Sequence, residues 1–361
     1  MRTIRLTILS LAALTAVVFG TMPAAVGAAP ATAGTTPTFT PLGPVDANVL
    51  SMSADGRILV GDNIFGGGAF RWSHRDGTQL LGNAGGQVSI SRDGTAIVAD
   101  VYHHGQATAA RWRGGTSWRP LDTYPGSTGC PDLSDVYSVS SHGAVVVGLG
   151  WDDCKATAFR SVGKNGIESL GSLDGFASRA NDVSADGSVI VGWDDAASGA
   201  RRGARWVNGV ESLLSTGVFL GGAETVNPGG SVIVGGDAGV RGKQAYRWTK
   251  QGGGELLGKL PGGGSLARAV ALSTTKDGKV VVGFSGAQYR DAFVWAKATG
   301  MFKLQDYLEG LGVTGMDGWR LDTALAISRD GSTIAGWGVR PDGHVQSWVV
   351  EGLPPLAGAA G

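Results

Sequence analysis

One unit of sequence recurs seven times along this chain, and a repeat of its length restricts the fold more than any other feature. The block Ser53-Ala54-Asp55-Gly56-Arg57-Ile58-Leu59-Val60-Gly61 returns around Asp93-Gly94, His142-Gly143, Asp186-Gly187, Gly229-Gly230, Asp277-Gly278 and Asp330-Gly331. From Asp55 to Asp330 the six intervals span 275 residues, a mean near 46. Blades of β-propellers repeat every ~40–50 residues.

Each copy reads as four strands. A short strand such as Ala180-Asn181-Asp182-Val183 precedes the turn. Asp-Gly then favours a tight reversal, because Gly accepts positive φ and Asp bonds back onto the turn. An unbroken apolar strand follows, as at Val189-Ile190-Val191, and a strand apolar at every position is covered on both faces. The third strand reads Ala69-Phe70-Arg71-Trp72 in the first copy and Ala245-Tyr246-Arg247-Trp248 in the fifth. The fourth carries Leu-Gly, as at Leu81-Gly82, Leu170-Gly171 and Leu257-Gly258. The last copy stops after its third strand, Ser347-Trp348-Val349-Val350, while an orphan strand from Thr38 to Gly43 precedes the first. Pairing the two removes exposed sheet edges. The prediction is an all-β chain folding as a single seven-bladed β-propeller of four-stranded blades, closed by an N-terminal strand completing the last blade. An open β-solenoid is the alternative use of the same units. The 62 glycines, beside 42% hydrophobic residues, suit many short strands joined by tight turns.

Arg2 and Arg5 precede an apolar run from Leu6 to Phe19 and small residues ending at Ala28-Ala29, the pattern of a secretory signal peptide. The run is shorter than the ~20 residues a membrane helix needs. The expected organisation is a signal peptide over 1–28, a flexible linker over 29–36, the propeller over 37–354 and a disordered tail over 355–361. Without Arg2 and Arg5 the chain holds 28 basic and 30 acidic residues, so it lacks the basic field that captures nucleic acid or an anionic bilayer. A secreted, extracellular monomer is expected. In that oxidising setting the two cysteines, Cys130 and Cys154, are expected to pair. Both lie in the third copy, in loops that a propeller opens on one face.

The last copy carries a longer signature: Leu304-Gln305-Asp306-Tyr307-Leu308, Gly318-Trp319-Arg320-Leu321, Ala326-Ile327-Ser328-Arg329-Asp330-Gly331 and Gly352-Leu353-Pro354. With the third-strand motif, it resembles the HAF family, extracellular repeats of exported bacterial proteins named for a His-Ala-Phe step. That His is replaced here by Gly68, Thr157, Gln244 or Asp291. The resemblance implies a repeat fold and an extracellular address, and no activity. The Asp-Gly turns also resemble the Asp-box turns of sialidases, but they lack the downstream Thr-Trp and read as structural.

Candidate ligand-binding residues collect on the loop face at the ends of the second strands: Trp151-Asp152-Asp153, Trp193-Asp194-Asp195, Asp237, Tyr102 and Trp337. Aromatic faces stack on sugar C–H faces and carboxylates accept hydroxyl protons. The same residue types also serve turns and blade packing. Arg71, Arg111, Arg160, Arg205 and Arg247 repeat at one position and read as packing arginines stacked on neighbouring Trp side chains. Leu304, Leu308 and Leu311 at i, i+4, i+7 predict a short helix packed on the rim. No cofactor or metal is implied: adjacent His103 and His104 would point to opposite faces of a strand, and Gly283-Phe284-Ser285-Gly286 does not complete a nucleophile elbow. The expected function is a non-catalytic binding or scaffold propeller for a carbohydrate or an extracellular protein. The alternative is an extracellular polysaccharide or glycoside lyase or hydrolase using Asp152, Asp153, Asp194 or Asp195.

Overall fold

The seven copies become seven four-stranded antiparallel sheets in a computed structural model. It describes residues 36–43, 47–63, 68–103, 106–121, 133–152, 154–214, 220–237, 243–262 and 264–356. Strand β1 (Thr38–Leu42) comes first. Blade 1 is β2 (Ala47–Met52), β3 (Leu59–Asn63), β4 (Gly68–Ser73) and β5 (Gly77–Leu80). Blade 2 is β6 (Ala84–Ile90), β7 (Ile97–His103), β8 (Gln106–Gly114) and β9 (Ser117–Pro120). Blade 3 is β10 (Ser134–Val139), β11 (Val145–Asp152), β12 (Lys155–Val162) and β13 (Ile167–Gly171). Blade 4 is β14 (Ser178–Val183), β15 (Val189–Asp195), β16 (Arg201–Val207) and β17 (Val210–Leu213). Blade 5 is β18 (Leu220–Val226), β19 (Val232–Asp237), β20 (Ala245–Thr249) and β21 (Gly253–Gly258). Blade 6 is β22 (Arg268–Thr274), β23 (Val280–Gly286), β24 (Arg290–Ala296) and β25 (Gly300–Lys303), followed by α1 (Leu304–Gly310). Blade 7 is β26 (Arg320–Ile327), β27 (Thr333–Val339) and β28 (Val345–Glu351), completed by β1 in the order β1-β28-β27-β26.

The predicted ring and clasp are the observed ones. Thr38 pairs with Glu351 and Leu42 with Ser347, so the first described strand closes the last sheet. Seven apolar clusters fill the seven contacts between adjacent blades. The one joining blades 7 and 1 brings Ala335 and Val349 against Leu59, Phe70 and Trp72. The wedge between blades 6 and 7 adds Leu304 and Leu308 of α1, so the predicted helix packs into the core. Leu356 belongs to the same cluster, so the packed chain runs past the expected end at Pro354.

The Ser-x-Asp-Gly blocks form the turns between first and second strands. In blade 4, Ser184 donates to Asp186 (2.6 Å), Asp186 accepts the Ser188 N–H (3.0 Å) and Ser184 Oγ accepts the Val189 N–H (3.0 Å). Blades 1, 2, 6 and 7 repeat these bonds. Adjacent turns are also linked by backbone bonds from Ala54 to Arg92, Ser141 to Ala185, Ala185 to Pro228, Lys276 to Arg329 and Arg329 to Ala54. Pro228 has no N–H to continue the relay, and the Asn227 side chain donates to Lys276 O instead (2.8 Å).

The repeated third-strand arginines divide by partner. Arg205 stacks on Trp248 of the next blade, 4.7 Å from its ring centroid, as predicted for all five. Arg111 and Arg247 instead donate to turn carbonyls of the next blade, Gly143 and Gly278. Arg71 and Arg160 turn within their own blades, to Asp76 and to Glu168. Stacking therefore corrects to a mixed role, set by which acceptor each neighbour offers.

Candidate functional site

The first strand of each blade lines the axis, and each carries a register shift near its middle, skipping Leu50, Tyr137, Asn181, Glu224, Leu272 and Leu325 in blades 1, 3, 4, 5, 6 and 7. In blade 2 the shift is wider, between Gly85 and Ser89. A bulge leaves its extra residue out of the ladder and re-aims it. Here the extra residues line an axial cavity of about 340 Å³. Its wall is two-sided: blades 6, 7 and 1 supply Leu272, Leu325 and Leu50, whereas blades 3, 4 and 5 supply Tyr137, Asn181 and Glu224.

In blades 1, 3, 4 and 5 the residue after the bulge ties its blade to a neighbour. Ser51 accepts the Ile90 N–H (3.3 Å), Asp182 accepts the Val226 N–H (2.9 Å) and the Ser138 hydroxyl (2.6 Å), and Thr225 donates to Leu272 O (2.6 Å). On the polar wall, Arg179 donates to Asn181 Oδ1 (2.6 Å) and to the Tyr137 hydroxyl (3.0 Å), and Asn181 donates to Ala223 O (2.8 Å). Burial pushes the Glu224 carboxyl up, against the opposing pull of Arg179, Arg201 and Lys243. At the turn end, Arg92 of blade 2 crosses the axis. Its guanidinium donates to Val226 O (2.8 Å) and lies 3.6 Å from Asp182.

At the opposite, loop-bearing end, Asp62 and Asp100 follow the apolar run of their second strands. Asp100 accepts the Val136 N–H of the next blade (2.8 Å). Burial pushes its carboxyl up to about 8, and nearby Asp135 and Asp62 add to the rise. Burial also raises Asp62 and Asp135. The folded protein therefore holds on Asp100 a proton that an unfolded chain releases near its ordinary 3.8. Stability from this group is fully present below that value and is lost as pH rises toward about 8. Asp100→Asn is expected to flatten that part of the decline in melting temperature between about pH 5 and about pH 8. Identical pH profiles for both proteins would show that Asp100 is not protonated in the fold.

The predicted site residues lie at this same end, but they are not equally free. Tyr102 is 79% exposed. Trp151 and Asp152 are half-buried and pair across the hairpin with Ala156 and Lys155. Trp193 is only 6% exposed, its ring covered by Arg201 at 3.7 Å and Arg179 at 5.3 Å. Asp194 is wholly buried, accepting the Leu173 N–H (3.0 Å) and a bond from Arg202. Beside it, burial and the Asp194 charge push Glu211 up to about 8. Asp195 faces Arg201 at 3.4 Å. Asp237 is buried and accepts the Gln244 N–H (2.8 Å), and Trp337 is half-buried. Trp193, Asp194 and Asp195 stand together on blade 4 and Trp151 with Asp152 on blade 3; Tyr102, Asp237 and Trp337 stand on separate blades. Asp153 and Cys130 lie outside the described residues, and Cys154 sits at the β11–β12 turn with φ 63°.

Sequence reasoning missed the bulge residues and a set of exposed apolar side chains. Of the nine large apolar side chains exposed among the described residues, five belong to the loop-bearing end: Tyr102, Leu173, Phe176, Leu266 and Tyr289. Their signal was loop position: large apolar residues in segments otherwise rich in Gly, Ser and Asp. No three His, Cys, Asp or Glu side chains gather as a metal site among the described residues.

These features define a closed seven-bladed propeller with a half-polar axial cavity. No family model and no curated protein matches the chain. Solved structures do resemble it. An oligogalacturonate lyase from Vibrio parahaemolyticus matches at TM-score 0.52 and 13% identity, over 87% of this chain and 93% of that one. The β-propeller domain of the Trilobed protease from Pyrococcus furiosus, described as having an open velcro topology, matches at TM-score 0.54 and 10% identity, over 86% and 96%. The chain spans about half (53%) of TolB from Acinetobacter baumannii, over 58% of its own length, at TM-score 0.45 and 12% identity. The likeness is one of fold.

Proposed function

We propose that this chain is an exported, non-catalytic binding propeller that receives a glycan or an extracellular protein on its loop-bearing face. The observation carrying this reading is the set of exposed Tyr102, Leu173, Phe176, Leu266 and Tyr289 on the loops of this one end. Isolated exposed apolar side chains are ordinary, but their concentration on one functional loop surface points to recognition. The burial of Asp194, with two donors already bound, speaks against its use in glycoside chemistry.

A glycan and protein array tests the reading. Tyr102→Ala combined with Phe176→Ala is expected to weaken the best ligand about tenfold or more. Val162→Ser and Val210→Ser, exposed away from this face, are expected to leave it unchanged. Equal loss from both pairs would place recognition elsewhere. Export and the Cys130–Cys154 link belong to the same proposal. Reductant is expected to lower the melting temperature of the exported protein, and two titratable thiols in the native state would refute the link.

A further inference from the structure

We infer, resting on the reading of this face as ligand-binding, that blade 6 holds a subsite for the anionic group of an acidic sugar chain, formed by Arg268 and Arg290. Arg268 opens β22 and Arg290 opens β24, and both pair in register with Gly286 of β23 between them. In-register residues on neighbouring strands project to one face, and the middle position has no side chain to separate the two. Both guanidiniums lie over Phe284, at 5.8 and 4.4 Å from its ring centroid.

The surrounding acids are already engaged. Asp322 accepts two bonds from Arg320 (2.6 and 3.2 Å), and Asp291 pairs with Lys303 (2.9 Å). Among the described residues no carboxylate pairs with Arg268 or Arg290. Burial and the Arg268 charge hold the Arg290 guanidinium below its ordinary range, against the opposing pull of Asp322. Two adjacent cations repel until an anion binds between them, and guanidinium forks match carboxylate and sulfate oxygens. Next to the pair, Tyr289 is 62% exposed, with Arg320 5.0 Å from its ring centroid, and Leu266 is 81% exposed. Apolar faces beside an anion site favour a sugar ring, with its C–H surface, over a fully polar acidic peptide.

Titration calorimetry with an oligouronate, its methyl ester, a sulfated oligosaccharide and polyglutamate tests this. The oligouronate or the sulfated chain is expected to bind, identifying which anion the site takes, and the methyl ester and polyglutamate to bind at least about tenfold more weakly. Arg268→Gln with Arg290→Gln is expected to remove about tenfold of the acidic-sugar affinity and to reduce its salt dependence, with an unchanged melting temperature. Equal binding of polyglutamate, or unchanged affinity in the double variant, would overturn the subsite. The wider reading would then still stand if Tyr102→Ala with Phe176→Ala weakens the array ligand, and would fall with it if that pair too is without effect.

Discussion

Replacing Gly192 by alanine is expected to destabilise the propeller by on the order of 3 kcal/mol or more, the upper range of overpacking costs. A Cβ there would lie 1.9 Å from Arg179 O and 3.0 Å from Ala180 Cα, both backbone atoms that cannot rotate aside. The same collision waits at Gly61 (Asn48 O, 1.9 Å), Gly148 (Asp135 O, 2.1 Å), Gly283 (Val270 O, 2.0 Å) and Gly336 (Thr323 O, 1.9 Å). Each of these glycines faces the inner strand just before its bulge, where the two backbones close together. Blade 2 has Ala99 at this position, opposite the wider register shift between Gly85 and Ser89. The recurring glycine is therefore a packing requirement of the bulged inner strand. A thermal melt of Gly192→Ala should fall by roughly 6–12 °C, taking a few degrees per kcal/mol. Gly229→Ala, with nothing within 4 Å of the added carbon, is the matched control and should stay near wild type. Equal melting of the two variants would remove the steric explanation.

The second large effect is expected from the clasp. Deleting the chain through Gly43 removes β1, leaves β28 with an unpaired edge and exposes the wedge between blades 7 and 1. Leu42 is 1% exposed in that wedge, and Phe39 packs edge-on to Trp319 at 5.3 Å and beside Trp348 at 6.4 Å. The truncated protein is expected to lose its cooperative melt and to aggregate through the bare edge. Leu42→Ala keeps the strand and should cost about 2–5 kcal/mol. Size-exclusion chromatography and melting curves distinguish the cases. A truncated protein that elutes and melts like the full chain would show that the ring holds without its clasp.

Much of this architecture is legible in the residues. Repeat spacing, turn blocks and the orphan strand suffice for blade number and closure, because each reports a local requirement: a tight reversal, a doubly covered strand, an unpaired edge. The cavity lining is harder to read. Leu50, Leu272 and Leu325 look like ordinary core residues of a short strand, and only the bulge turns them to the axis. The repeated Trp-Asp-Asp text marks blades 3 and 4 alike, yet in blade 4 Trp193 lies beneath two arginines and Asp194 accepts bonds from Leu173 and Arg202. Arg268 and Arg290 stand far apart in the chain, and they meet only because the strand register places Gly286 between them.

Arg92 has a consequence for the ring as a whole. Because its guanidinium is anchored on Val226 O across the ring, it ties blade 2 to blade 5, two blades that are not neighbours. A load on either blade is thereby shared across the ring instead of passing only from neighbour to neighbour.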